Sequence, residues 1–194
     1  MSDFSQKLAR IQAKNGSDVL LLMRPLMSDM PAPMHYYDDP FFPFSKAIIG
    51  ATRDVVCGYV FDFPAYLVHG AAGAVALERS MAFAGADVLK ILHGTFVGAG
   101  YAPMIYEDAL GSDAATIAYS HEYNDFAGRD GREAFVLQWG DEKSGDYPAY
   151  LPEQNRFLLA DGEHLRVADE KILYTGYQDD FAQQCRAALE AMRK

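Results

Sequence analysis

The chain has 194 residues and a formal charge of −10, from 17 basic and 27 acidic residues. Its composition, 50% hydrophobic and 23% charged, is that of a globular protein and excludes a disordered one. The length fits one domain covering 1–194, and the acidity argues against nucleic acid, whose phosphates such a surface repels.

The first residues, MSDFSQKLARIQ, hold no apolar core of signal-peptide length, and no later apolar stretch reaches about 18 residues. The expectation is a cytoplasmic protein that does not enter a membrane. Cys57 and Cys185 each sit in an apolar pattern, which predicts buried free thiols rather than a bridge.

Phe4, Leu8 and Ile11 fall on one face of a helix over 3–14, which Asn15-Gly16 ends. Val19 to Met23 follow as a short apolar strand. Residues 24–45 carry Pro25, Pro31, Pro33, Pro40 and Pro43 among aromatic residues, a pattern that predicts irregular structure serving as a lid or a subunit contact. Residues 46–50 and 54–61 read as strands, and 65–68 as a third strand or the start of the next helix. The Ala-rich stretch 71–84 reads as a buried central helix, because it has few polar positions. Residues 88–92 and 102–106 read as strands, and 107–127 fit helix or strand. Beyond them come a strand over 132–139 and a hairpin of 156–160 with 163–167 about Asp161-Gly162. A strand at 171–174 and a helix over 178–193 with Cys185 on its apolar stripe complete the chain.

The predicted fold is α/β or α+β, a single domain with a mixed β-sheet of about five to seven strands. The helix at 71–84 is central and the C-terminal helix packs on the sheet.

Two segments echo each other: Leu67-Val68-His69-Gly70 and Ile91-Leu92-His93-Gly94. With the helix between them they read as a small βαβ unit, which would bring both histidines out at the carboxyl ends of neighbouring parallel strands. In open α/β sheets that edge carries the ligand. Gly70 and Gly73 open a helix whose N–H groups can seat an anion. Gly94, Gly98 and Gly100 allow backbone to approach a ligand, and Lys90 can neutralise its charge. His121 and Glu122 are a second acid–base pair, provided a turn brings them together. His35 beside Asp38 and Asp39 forms a third cluster, with ordinary turn chemistry as its plain reading.

No dinucleotide, flavin or P-loop pattern occurs, so no such cofactor is expected. A divalent metal on His69, His93 and His121 would meet the ligand count of a catalytic site, but no close ligand spacing supports it. The functional expectation is a small enzyme of lyase, isomerase or hydrolase type acting on a small anionic or carbonyl-bearing metabolite. His69, His93, His121 and Glu122 are its catalytic candidates. Gly70, Gly73, Gly94, Gly98, Gly100 and Lys90 are its binding candidates. The rival is a non-catalytic module of ferredoxin-like or shell-domain topology that binds a ligand or self-assembles. Either reading favours a homo-oligomer.

Overall fold

The structure, a computed structural model, describes residues 3–107, 110–127, 131–139 and 147–193. Eight strands close into a barrel, paired in chain order. They are β1 (Val19–Met23), β2 (Gly58–Asp62), β3 (Leu89–Phe96), β4 (Ala114–Ile117), β5 (Glu133–Leu137), β6 (Ala149–Leu151), β7 (Arg156–Leu158) and β8 (His164–Ala168). β1 to β6 run parallel. β7 turns back antiparallel to both neighbours, and β8 closes parallel to β1. The sheet is thus mixed, as its hairpin predicts, but it has no open edge.

Strand alternation explains the closure. Leu20, Leu22, Val60, Leu89, Ile91, Ala114, Phe135, Tyr150, Phe157, Leu165 and Val167 fill the interior. The intervening Val19, Leu21, Met23, Tyr59, Phe61, Leu92, Ala115 and Ile117 pack outward in a second core beneath the helices. β1 and β2 are buried on both faces, which is why they read as continuous apolar runs. Helix α1 (Asp3–Asn15) plugs the amino end of the barrel, with Phe4, Leu8 and Ile11 in the interior core.

Several expected strands are helices. Residues 46–50 belong to α2 (Phe41–Thr52), whose Phe41, Phe44, Ile48 and Ile49 form one buried face. The paired isoleucines resemble a strand, but the face repeats at helical spacing. Pro43 is accommodated because it lies in the first turn, where backbone N–H groups lack helical partners anyway. The irregular stretch therefore ends at Pro40, and Asp39 accepts the Phe41 N–H at 3.2 Å.

Residues 65–68 fall on α3 (Phe63–Leu67) and its C-cap, not on a strand. The Asp62 carboxylate accepts the Ala65 N–H and Pro64 sits in the first turn. Residues 102–106 form α5 (Ala102–Tyr106), again with a proline in the first turn, and 171–174 lie on α7 (Glu170–Leu173), capped by Asp169. The 107–127 stretch, whose residues 108 and 109 lie outside the described ones, yields β4 and then α6 (Tyr123–Phe126).

Helix α4 (Gly70–Ala84) forms where expected, but it is an outer-layer helix rather than a central one. Its Gly73, Ala76, Leu77, Ser80, Met81 and Ala84 are buried while Val75 stays 49% exposed. Helix α8 (Phe181–Met192) packs Phe181, Cys185 and Leu189 on the outer core, and both cysteines are free and buried. The ferredoxin-like alternative fails on the same ground as the βαβ unit, because 65–68 and 102–106 are helical and the sheet is a closed barrel.

Candidate functional site at the carboxyl mouth of the barrel

Period-2 alternation carries a row of polar side chains onto one end of the interior. Arg24 lies two residues past Leu22, Asp62 two past Val60, His93 two past Ile91 and Thr116 two past Ala114. All four stand at the carboxyl ends of β1 to β4, the face where barrel enzymes of this architecture place their chemistry. Tyr150 of β6 completes the ring.

Arg24 donates through Nε to Asp62 at 2.6 Å and through Nη1 to Glu170 at 3.3 Å. Burial alone would weaken its protonation, but the two carboxylates prevail and its pKa is raised. Asp62 is the register partner of His93 across β2 and β3.

β3 bulges at this point. The register passes from Leu92 opposite Ala115 to Phe96 opposite Ile117, so three residues of β3 face Thr116 alone. The Thr116 hydroxyl stitches the gap. It donates to the Gly94 carbonyl at 2.6 Å and accepts the Gly94 N–H at 2.9 Å. Its single proton is thereby committed, so the His93 Nδ1, at 3.0 Å, must be the donor. The neutral ring then leaves Nε2 with a bare lone pair. Burial pushes the His93 pKa down, Asp62 opposes and Arg24 reinforces, so the imidazole is neutral near pH 7. Tyr150 stands edge-on to His93 with centroids 5.1 Å apart, its hydroxyl pushed up to about 12 by burial.

The other expected site residues are dispersed. His69 sits on the link between α3 and α4, stacked on Phe41 at 3.9 Å, with Nε2 3.4 Å from the Pro25 carbonyl. It therefore reaches the rim beside Arg24, not a strand end. Gly70 has φ +65 and Gly73 is a packing glycine, since an added Cβ would lie 1.8 Å from the Tyr66 carbonyl oxygen. A carbonyl there faces any would-be anion with the wrong sign. Gly94 belongs to the bulge. Gly98, with φ +88, donates its N–H to Glu122 at 2.7 Å, and Gly100 lies in the following 3-10 turn.

His121 is exposed and stacked on Tyr119, whereas its neighbour Glu122 is buried against Gly98. The turn separates them rather than joining them. Lys90 is at the opposite end of β3 from His93, beside Asp113. His35 contacts the Met30 carbonyl at 3.1 Å. Among the described residues no group of three His, Cys, Asp or Glu is placed to hold a metal, and no helix is long and apolar enough to cross a membrane.

Sequence reasoning missed Arg24, Asp62, Thr116, Tyr150 and Glu170. The same signal that marks His93 was available for two of them: Arg24 and Asp62 each end an apolar strand run with a charge.

No family model matches the sequence. The chain is similar to curated orotidine 5′-phosphate decarboxylases, at 30% identity over 142 residues to one from Thermomicrobium roseum and 27% over 169 residues to one from Herpetosiphon aurantiacus. These alignments cover 69% and 84% of the chain but 50% and 61% of the relatives, so the chain spans about half the length of the curated proteins it matches. Among solved structures, the OMP decarboxylase of Leishmania donovani superposes with TM-score 0.69 at 15% identity, over 100% of this chain and 99% of that one. A Streptomyces avermitilis protein reaches TM-score 0.75 at 15% identity, over 100% and 94%. At such identity these likenesses establish the closed α/β barrel.

Proposed function

We propose that the chain is a lyase-type enzyme that acts on a small anionic metabolite in the carboxyl mouth of the barrel. Arg24 receives an acidic group of the ligand and His93 exchanges a proton with it. The observation that carries this reading is the convergence of Arg24, Asp62, His93 and Thr116 on one polar ring inside an apolar barrel. The names of the relatives make orotidine 5′-phosphate the first substrate to test. In a decarboxylation the bond to the carboxyl carbon breaks, its electron pair stays on the remaining carbon, and a proton must reach that carbon. Burial disfavours the imidazolium of His93, but an anion seated beside it favours that form. Thr116 fixes the ring so that Nε2 is the nitrogen that carries that proton.

The test is release of carbon dioxide from orotidine 5′-phosphate by the purified chain. His93→Gln is expected to lower turnover roughly 10²–10⁴-fold with the fold intact. Arg24→Gln is expected to act on KM. No carbon dioxide release and no ligand-induced rise in Tm together overturn the proposal.

A second reading, a ligand-binding barrel without turnover, is favoured by one observation: Arg24 is already held by both Asp62 and Glu170. With His93 neutral, the mouth carries one cation against two carboxylates, so an incoming anion must displace Glu170. A rise in Tm without carbon dioxide release is the result that selects this reading.

A further inference from the structure

The amino end of the barrel holds a second charged cavity, of about 460 Å³, between α1 and the segments that enter β4 and β5. Lys7, Arg10 and Arg132 line it together with Asp3 and Asp113. Asp113 is the shared acceptor. Its Oδ2 takes Lys7 at 2.7 Å and the Lys90 N–H at 2.9 Å, and its Oδ1 lies 3.6 Å from Arg132. Arg10 has no hydrogen-bond or ion-pair partner among the described residues.

Lys90 borders the same cluster. Its Nζ reaches to 3.8 Å from where a Cβ on Gly111 would stand. Burial disfavours its charge, Lys7 and Arg132 disfavour it further, and Asp113 only partly opposes them. Among the described residues, four cations thus surround two carboxylates, in a chain whose formal charge is −10.

Anchoring α1 to the barrel explains Lys7 and Asp113, because one pair is enough. It does not explain Arg10, which together with Arg132 takes the cluster from balance, Lys7 and Lys90 against Asp3 and Asp113, to a surplus of two positive charges. Guanidinium groups are suited to oxyanions by their forked donors.

We propose that this cavity at the barrel floor binds a phosphate dianion, free or as a phosphate monoester, through Lys7, Arg10 and Arg132. The site is independent of the mouth, which opens at the other end of the strands.

The experiment is titration calorimetry of the whole chain with inorganic phosphate and with ribose 5-phosphate, at constant ionic strength. Arg10→Gln removes a cation that no described residue bonds, so the variant keeps its fold, and it is expected to weaken binding at least 10-fold. Arg132→Gln is expected to act in the same direction, with Tm reported beside it because its guanidinium also holds the Tyr106 carbonyl. Arg24→Gln removes any anion binding at the mouth and is expected to leave the Arg10-dependent part of the titration in place. Tighter binding of ribose 5-phosphate assigns the monoester, and equal binding assigns free phosphate. Absence of binding at millimolar ligand overturns the proposal. So does binding that survives Arg10→Gln combined with Arg24→Gln, or that is wholly lost with Arg24→Gln alone.

Discussion

The two ends of one strand carry opposite electrostatic arrangements. At the carboxyl end of β3, His93 sits beside an arginine held between two carboxylates. At its amino end, Lys90 lies beside Lys7 and Arg132, which share one well-placed carboxylate, Asp113, and beside Arg10, which has no such partner. The two side chains are three residues apart, about 10 Å along the strand and on opposite faces of it. The mouth therefore has its one cation held by two carboxylates. The floor has a surplus, and surplus charge in a partly enclosed cavity is stabilised by an ion from outside. The mouth can bind an anion only by exchanging a partner, whereas the floor can bind one by addition.

The largest expected effect tests the matched end. Asp62 is nearly buried, neutralises Arg24 and caps α3. Asp62→Ala leaves a partly buried guanidinium with only Glu170 and uncaps a helix, and is expected to cost about 3 kcal/mol in urea unfolding. Asp62→Asn keeps the cap and should recover about half of that loss. The matching change at the floor, Lys7→Met, is expected to cost no more than about 1 kcal/mol, because it also relieves repulsion from Lys90 and Arg132. Equal losses at the two ends would remove the distinction between them.

A smaller effect is expected inside the mouth. Thr116→Val keeps the shape of the side chain but leaves the Gly94 N–H and carbonyl without their bridge across the bulge. A loss of about 2 kcal/mol is expected from those unpaired backbone groups. The His93 ring also loses the acceptor that selects its tautomer. Nitrogen chemical shifts of the imidazole should then show a mixture of Nδ1–H and Nε2–H forms. An unchanged single tautomer would show that Asp62 or Tyr150, not Thr116, orients the ring.

Much of this geometry was present in the sequence as pattern. The apolar run at 19–23, the hairpin at Asp161-Gly162 and the Cys185 stripe each carry their periodicity locally and each formed, whereas the run read over 54–61 formed a strand only from Gly58 to Asp62. What the pattern could not carry was closure. Whether eight short strands curl into a barrel depends on register between strands far apart in sequence, such as Leu20 opposite Val167. The prolines misled in a definite way. Pro43 counts against helix within the 24–45 pattern, yet it lies in the first turn of one, as Pro64 and Pro103 do, where no N–H is needed. His93 was legible because it ends an apolar run. Arg24 and Asp62 carry the same signal, but their grouping with it does not show in the sequence, because they become neighbours only when β1 pairs with β2. The Thr116 bridge depends on a bulge that no local signal announces.

The smallest expected effect reads both ends of β3 in one experiment, through the dependence of stability on pH. His93 has its pKa lowered from 6.5 by burial. The unfolded chain therefore binds this proton more tightly than the fold does. The contribution of the neutral ring is complete above about pH 6.5 and is lost as pH falls toward the folded value. Lys90 has its pKa lowered from 10.5, again chiefly by burial. The same sign applies at higher pH: stability climbs as pH rises from the folded value of Lys90 toward about 10.5, because the fold tolerates the neutral amine better than the ammonium. Urea unfolding of wild type beside His93→Gln and Lys90→Met isolates each limb as a difference between curves. The histidine variant is expected to flatten only the acid limb and the lysine variant only the alkaline one. Phosphate added to the wild type should shrink the alkaline limb, since an anion at the floor favours the charged amine, and should leave the acid limb in place. If phosphate instead moved the acid limb, the anion would be seated at His93, and the contrast between the two ends would be reversed.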